Sequence, residues 1–134
     1  MTHPMKNRAA ICGLGITEMG RVYRSATDLA TEAVFLALKD AGLKKSELDG
    51  LLINAGLTNS VGLTLHGNLG LQELNLLTFM QGYGSSAGQM VQYASMAIAN
   101  GMADYVACVF ADNPLKEGKS AGASYMRARK QDAL

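Results

Sequence analysis

Residues 76–104 read LLTFMQGYGSSAGQMVQYASMAIANGMAD, and this stretch decides the fold. Leu76–Met80 is a short apolar run that predicts a buried strand, and residues 86–100 lack proline and repeat apolar side chains at helical spacing. Because residues 74–103 contain no Asp, Glu, Lys or Arg, we expect the helix to be buried on nearly all sides. Residues 81–88, which lie between the predicted strand and the predicted helix, indicate a tight Gly/Ser turn.

Such a strand-to-helix turn favours negative charge. Its backbone N–H groups lie at the positive end of the helix dipole, which suits an oxyanion, a bound anion or an activated nucleophile. The alternative is that Ser85 or Ser86 only caps the helix, while the glycines permit close packing. Tyr83 has two interpretations as well, since its phenol is suited either to a substrate oxygen or to packing.

The remaining pattern predicts alternating strands and helices. Ser25 is an N-cap signal for an amphipathic helix over residues 27–41 that ends at Gly42. Further buried strands are expected at the positions Ala9–Thr17, Leu51–Ala55 and Tyr105–Ala111. Strands that alternate with helices indicate an α/β fold with parallel strand pairs.

Composition excludes several classes of function. With 134 residues, 49% hydrophobic and 17% charged, the chain is expected to form one globular domain. Lys and Arg number 12 against 11 Asp and Glu, so nucleic-acid binding is not expected, and neither is membrane insertion.

Cys12 and Cys108 lie in apolar runs without metal-ligand spacing, which predicts inert buried thiols, no disulfide and a cytoplasmic location. His66 has no second ligand at metal-binding spacing.

The turn and its helix resemble the thiolase superfamily, in the lipid-transfer or sterol-carrier branch. There a nucleophilic cysteine stands in a C-[AS]-S-G-type motif at a strand-to-helix turn. When the sequence is aligned with that pattern without gaps, Ser86 matches the motif serine and Gly88 matches a following glycine. Residues Ala97–Asp104 then match the helix ending A-I-x-x-G-x-A-D. Ala10–Thr17 and Ala111–Pro114 also fit, so the resemblance covers nearly all of the chain.

One departure from the family pattern changes the expected chemistry. In the gapless register Gly84 stands where the cysteine should be, and Ala87 replaces the usual motif glycine. A one-residue shift would place Ser85 there, but it spoils the downstream match. The resemblance is therefore to lipid-transfer-type homologues without the cysteine, some of which cleave carbon–carbon bonds of 3-hydroxyacyl-CoA-like thioesters by retro-aldol chemistry with a zinc-ribbon/OB-fold partner protein.

The resemblance implies a set of site residues and a substrate. Gly84, Ser85 and Ser86 would form the catalytic turn, and Tyr83 and Gly88 would contact an acyl-CoA substrate, with no bound cofactor and no metal. The alternatives are an acetyl-CoA acyltransferase (a thiolase proper) and a non-catalytic acyl-CoA- or lipid-binding scaffold subunit.

The resemblance also implies an architecture. The expected fold is a thiolase-like N-terminal half with a mixed sheet of about five strands around a buried central helix, layered α-β-α. The half-domain would span residues 1–112, with 113–134 as a loop or truncated tail. A homodimer would form through the strand Leu76–Gln81. Because a thiolase needs two similar halves, the chain alone is expected to be an inactive fragment.

Overall fold

A computed structural model of the protein describes residues 3–123, which form a three-layer α/β structure. Three strands make one parallel sheet in the order β2-β1-β3, with Gly50 opposite both Leu76 and Val106. The α/β class is confirmed. The elements are α1 (Ala26–Ala41), β1 (Gly50–Asn54), α2 (Leu65–Asn68), β2 (Leu76–Phe79), α3 (Ser86–Ala99) and β3 (Val106–Phe110), with 3-10 turns at Lys45–Glu47 and Tyr83–Ser85.

Local sequence signals fix α1. The Ser25 hydroxyl accepts a hydrogen bond from the Asp28 backbone N–H at 3.0 Å, as an N-cap does. At the other end Gly42 adopts a left-handed conformation (φ 68°), which residues with a Cβ atom rarely adopt. The helix therefore ends there. The predicted amphipathic helix is confirmed.

The core consists of two clusters, one on each face of the sheet. The cluster on the α1 side includes Leu51 and Ile53 of β1 together with Val34. The cluster on the α3 side includes Leu52 of β1 and Met90. Successive β1 residues therefore point into opposite clusters, and the central strand is buried along its whole length. This arrangement confirms the predicted α-β-α layers.

Asp49 aligns the strands at their amino ends. Its carboxylate accepts hydrogen bonds from the backbone N–H groups of Asp104 and Tyr105, which lead into β3, and from the Asn75 side chain before β2. The Asp49 carbonyl also accepts the N–H of Leu76 at 3.2 Å. Because all three strands start in register at Asp49, all three also end at one edge of the sheet.

The predicted buried strand Ala9–Thr17 is not found. The segment has no regular secondary structure and pairs with no described strand, and Ile11 is 81% exposed. It lies against α1 instead, so closely that a Cβ on Gly15 would stand 1.9 Å from the Ala33 carbonyl oxygen. A strand needs a neighbouring edge, and a cleft of about 570 Å³ separates residues 9–15 from β3. The described sheet consequently has three parallel strands and not the expected five.

The expectation that α3 is buried on nearly all sides is wrong. Its buried residues are Ser86, Met90, Ala94 and Ala97, which face the sheet. The rest of the helix surface carries no charge and is open, with Val91 42% and Met96 46% exposed. Lack of charge therefore does not mean burial here, because only one side of α3 meets the described part of the sheet. No helix within residues 3–123 is long and apolar enough to cross a membrane.

The predicted tail is described only in part. Residues 113–121 contain neither helix nor strand, and residues 124–134 lie outside the described range. The domain boundary at residue 112 stays a prediction.

Both cysteines are exposed, which corrects the expectation of buried thiols. Cys12 lies on the unpaired segment and Cys108 on the free edge of β3, and both line the same cleft. Water reaches Cys108 through the cleft, yet apolar atoms surround the thiol. This desolvation disfavours the thiolate and raises the pKa of Cys108 to about 11.

We expect alkylation of Cys108 by iodoacetamide to be slow at pH 8. With a pKa of about 11, roughly one thiol in a thousand is ionised at that pH, and the rate should rise about tenfold per pH unit until the pKa is reached. Mass spectrometry of the alkylated chain measures this, and the Cys108→Ser variant isolates the reaction of Cys12. A Cys108 rate that levels off below pH 9 would contradict the prediction.

Candidate active site at the carboxyl edge of the sheet

Three elements meet at the carboxyl edge of the sheet. β1 ends at Asn54, residues 80–82 follow β2, and Ser86 begins α3. The carboxyl edge of a parallel sheet is the usual place for a ligand in α/β folds. The turn singled out from the sequence lies at this edge.

Asn54 connects the three elements beneath the surface. It is 1% exposed, and its Nδ2 lies 2.6 Å from the Met80 carbonyl oxygen, 3.1 Å from Gln81 Oε1 and 3.2 Å from Ser86 Oγ. Its Oδ1 accepts the Gly56 backbone N–H at 3.1 Å. A buried amide with all of its polar atoms engaged fixes the geometry of the groups around it.

The two serines of the turn make hydrogen bonds within it. Ser86 is 4% exposed, and its hydroxyl accepts the Gly82 N–H at 3.0 Å and donates to the Tyr83 carbonyl at 2.8 Å. Ser85 is exposed, donates to the Gly82 carbonyl at 2.7 Å and accepts from Gln89 Nε2 at 3.0 Å. Neither hydroxyl caps the helix through a backbone N–H of its first turn, so the capping interpretation is wrong.

Tyr83 adopts an unusual backbone conformation. Its φ of 50° is left-handed, a region that costs a bulky residue roughly 1–3 kcal/mol and that clusters at functional sites. The Gln81 side chain accepts its N–H at 3.2 Å, and Ser86 donates to its carbonyl. The side chain is 74% exposed, so packing does not account for the strain.

Gly84 is the open point of the turn. It is exposed, and a Cβ added there would have no neighbour within 4 Å. Its backbone N–H donates to no other described residue. Gly88, also exposed and without neighbours around an added Cβ, lies one helical turn further on. The structure thus brings Tyr83, Gly84, Ser85 and Gly88 to one surface, with Ser86 beneath them.

Three supporting residues were missed in the sequence. Asn54 and Gln81 hold the turn, and Asp112 holds the loop after β1, since its carboxylate accepts the Leu57 N–H at 2.7 Å and the Thr58 hydroxyl. Their positions in the sequence could have indicated these residues, because each polar side chain stands where an apolar strand ends. In a parallel sheet such residues share one edge.

The turn brings no charge of its own to this surface, because residues 74–103 contain no charged side chain. No group of three or more His, Cys, Asp or Glu able to hold a metal ion occurs within residues 3–123. What this surface offers is an unpaired backbone donor at Gly84 and the phenol of Tyr83.

We expect Tyr83→Gly to raise the free energy of unfolding by about 1 kcal/mol. Glycine adopts a positive φ without strain, and the exposed ring contributes little packing. Urea denaturation measures the change. The control is Tyr93→Gly, which alters a partly buried helical tyrosine and should lower stability. A loss of stability for Tyr83→Gly would show that the ring, not the backbone, matters to the fold.

Comparisons with known proteins relate this chain to proteins that are named as enzymes. No family model matches the chain. It is 41% identical over 106 residues to a steroid side-chain-cleaving aldolase of Thermomonospora curvata, covering 78% of this chain and 27% of that protein. It is 37% identical over 110 residues to the 17-hydroxy-3-oxo-4-pregnene-20-carboxyl-CoA lyase of Mycobacterium tuberculosis, covering 81% of this chain and 28% of that protein.

Solved structures agree in fold. The Ltp2-ChsH2(DUF35) aldolase superposes with a TM-score of 0.68 at 35% identity, covering 88% of this chain and 32% of that one. The 3-oxoacyl-[acyl-carrier-protein] synthase III of Aquifex aeolicus superposes with a TM-score of 0.59 at 24% identity, covering 74% of this chain and 32% of that one, which shows the fold alone. The chain spans about a quarter of the length of the curated relatives it matches. The chain has a thiolase-like fold of the lipid-transfer type and is similar in sequence to these aldolases.

Proposed function

We propose that the protein to which this chain contributes cleaves carbon–carbon bonds in acyl-CoA thioesters by a retro-aldol reaction. The observation that carries the proposal is Gly84. It is exposed, its N–H is unpaired and it has no side-chain nucleophile, in a chain 41% identical to an aldolase. A turn of this kind suits an oxyanion but not a covalent acyl-enzyme.

In the proposed reaction a base removes the proton of the substrate's β-hydroxyl group. The bond between the α and β carbons breaks, the hydroxyl carbon becomes a carbonyl, and the electron pair passes to the thioester as an enolate. The Gly84 N–H donates to the enolate oxygen at the start of α3, where the helix dipole adds to the stabilisation. Protonation of the α carbon then completes the reaction, so atoms and charge balance without a thiol.

The base is not one of the turn residues, since residues 74–103 carry no carboxylate and no histidine. It comes from another part of the protein. Tyr83 would donate its phenol O–H to a substrate oxygen, which is supported by its exposed side chain next to Gly84 in the chain. Ser86, at 4% exposed, positions the turn and does not touch substrate.

The expected substrate is a CoA thioester with a hydroxyl on the β carbon. The name of the Mycobacterium tuberculosis relative gives such a compound, 17-hydroxy-3-oxo-4-pregnene-20-carboxyl-CoA. Retro-aldol cleavage of that thioester would release a 17-ketosteroid and propanoyl-CoA. We propose this class of substrate for the present protein as well.

Partners and location are part of the proposal. The Ltp2-ChsH2(DUF35) aldolase is named for two components, which supports the presence of a partner protein. We propose a small partner of the zinc-ribbon/OB-fold type. The outer edge of β2 pairs with no described strand, which supports a homodimer through Leu76–Gln81. Two free cysteines fit a reducing cytoplasm.

A chimera tests the activity. This chain replaces the matching stretch of the Thermomonospora curvata aldolase, and the product is incubated with 17-hydroxy-3-oxo-4-pregnene-20-carboxyl-CoA. Release of ketone and propanoyl-CoA at a rate within about tenfold of the unmodified aldolase is expected, while the isolated chain should release none. Binding of the thioester without cleavage would favour the scaffold alternative. Thiolytic cleavage of a 3-oxoacyl-CoA thioester that requires Gly84→Cys and free CoA would favour the acyltransferase.

A further inference from the structure

One peptide group carries the proposed oxyanion donor. It joins Tyr83 to Gly84, so the Tyr83 carbonyl and the Gly84 N–H are its two polar ends. We propose that Gln81 and Ser86 are positioning residues that together hold this peptide with its N–H directed at the substrate. The catalytic part of this inference rests on the proposed function, whereas the direction of the peptide is a property of the folded chain.

The direction of the peptide follows from its planar trans geometry. In a trans peptide the C=O and the N–H point in opposite directions, and the described residues contain no cis peptide. The Tyr83 carbonyl accepts the Ser86 hydroxyl at 2.8 Å and also the Ser86 backbone N–H, and Ser86 is 4% exposed. The carbonyl is therefore directed into the protein. The Gly84 N–H is directed outward, where nothing lies within 4 Å of an added Cβ.

The two residues that this peptide joins do not hold it by themselves. Tyr83 has a φ of 50°, and such a strained conformation persists only where its surroundings impose it. Gly84 has no Cβ to restrict rotation on the other side of the peptide. The orientation of the peptide must therefore come from hydrogen bonds that other residues make.

Gln81 holds the second polar group of Tyr83. Its Oε1 accepts the Tyr83 N–H at 3.2 Å, while Ser86 donates to the Tyr83 carbonyl. The Gln81 amide is itself fixed, because its Nε2 donates to the Gly56 carbonyl at 2.7 Å and its Oε1 accepts Asn54 Nδ2 at 3.1 Å. Tyr83 is thus held at both its N–H and its C=O, by one side chain that follows β2 and one that begins α3.

A purely structural role for Ser86 is the alternative. Its hydroxyl also accepts the Gly82 N–H at 3.0 Å, so removal of the hydroxyl costs stability in either case. The two roles differ in the direction of the Gly84 N–H, because a purely structural role leaves that direction unchanged when the hydroxyl is removed. The test must therefore measure the direction of the peptide as well as stability.

Selective isotope labelling measures this direction in the full chain. Tyr83 and Gly84 form the one Tyr-Gly pair in the sequence, so tyrosine labelled with ¹³C at the carbonyl and glycine labelled with ¹⁵N give a single doubly labelled peptide. Rotation of the peptide moves the Gly84 amide proton between the Hα and the N–H of Tyr83, and the ratio of the two NOEs reports this rotation. We expect Ser86→Ala to change the ratio about threefold or more, and Ser86→Thr, which keeps the hydroxyl, to restore it.

The matched control is Ser95→Ala. The Ser95 hydroxyl donates to the Val91 carbonyl at 2.8 Å, so the same group is removed from the same helix at the same hydrogen-bond length. The NOE ratio should not change in this control. Gln81→Met is the second test variant, because Gln81 is exposed and its replacement is compatible with folding. It should change the ratio in the same direction as Ser86→Ala.

Activity of the aldolase chimera completes the test. We expect Ser86→Ala and Gln81→Met to lower kcat about tenfold or more while KM stays within about twofold, because a donor turned away from the oxyanion loses transition-state stabilisation alone. An unchanged NOE ratio in both variants would overturn the assignment whatever the activity. A changed ratio with kcat unchanged in an active chimera would overturn it as well. A chimera that cleaves nothing would refute the proposed reaction, and the NOE ratio would still decide what holds the peptide.

Discussion

Asn54→Leu is expected to lower the free energy of unfolding by about 2–4 kcal/mol, although leucine has nearly the same volume. The substitution leaves the Met80 carbonyl and the Gly56 N–H without their present partner at a site that is 1% exposed. It also removes the contact between Asn54 Nδ2 and Ser86 Oγ. Urea denaturation followed by circular dichroism measures the change.

The matched control for this change is Asn68→Leu. Asn68 is exposed in α2, and its side chain makes no hydrogen bond to a described residue, so stability should change by less than about 0.5 kcal/mol. Similar losses in the two variants would mean that the Asn54 hydrogen bonds add nothing specific. In the aldolase chimera, Asn54→Leu should also lower kcat more than KM rises, because Asn54 positions the turn and does not touch substrate.

Gly84→Phe is expected to lower kcat/KM of the aldolase chimera by about 100-fold while leaving its unfolding midpoint unchanged. Nothing stands within 4 Å of an added Cβ, so the fold has room for the side chain. The same open space is where the proposed thioester oxygen must approach the Gly84 N–H. Displacing a reacting group by about 1 Å costs on the order of 100-fold in rate.

The control is Gly67→Phe, at an exposed glycine of α2 that also has no neighbour around an added Cβ. Its activity should stay within about twofold of the parent chimera, since such a surface change is usually nearly neutral. If Gly84→Phe retains the activity of Gly67→Phe, the thioester does not approach this turn. Gly84→Ala should fall between the two, because a methyl group occupies less of the space.

The parts of the fold that depend on local signals could be predicted from the sequence. Ser25 and Gly42 mark the two ends of α1 by their own conformations and hydrogen bonds. The three central apolar runs became β1, β2 and β3 because each could pair with another. The Ala9–Thr17 run is also largely apolar, but it pairs with no strand among the described residues. Its state depends on a partner that its own residues do not specify.

The position of the site could be predicted from the sequence, but the residues that support it could not. The Gly/Ser composition of residues 81–88 indicated a tight turn before a helix, and the structure has one there. Asn54 is 27 residues away from Gln81 along the chain, and only the parallel pairing of β1 with β2 brings them together. The positive φ of Tyr83 was also hidden, because tyrosine has no local preference for it.

The open, uncharged face of α3 has a consequence for handling the chain in solution. The net charge is +1 at pH 7 and the isoelectric point is about 7.8, so long-range repulsion between molecules is nearly absent close to neutral pH. Val91 and Met96 then meet other molecules without an electrostatic barrier. Solubility should be lowest near pH 7.8 and should improve toward pH 6 or with a charged fusion partner, because either change restores repulsion.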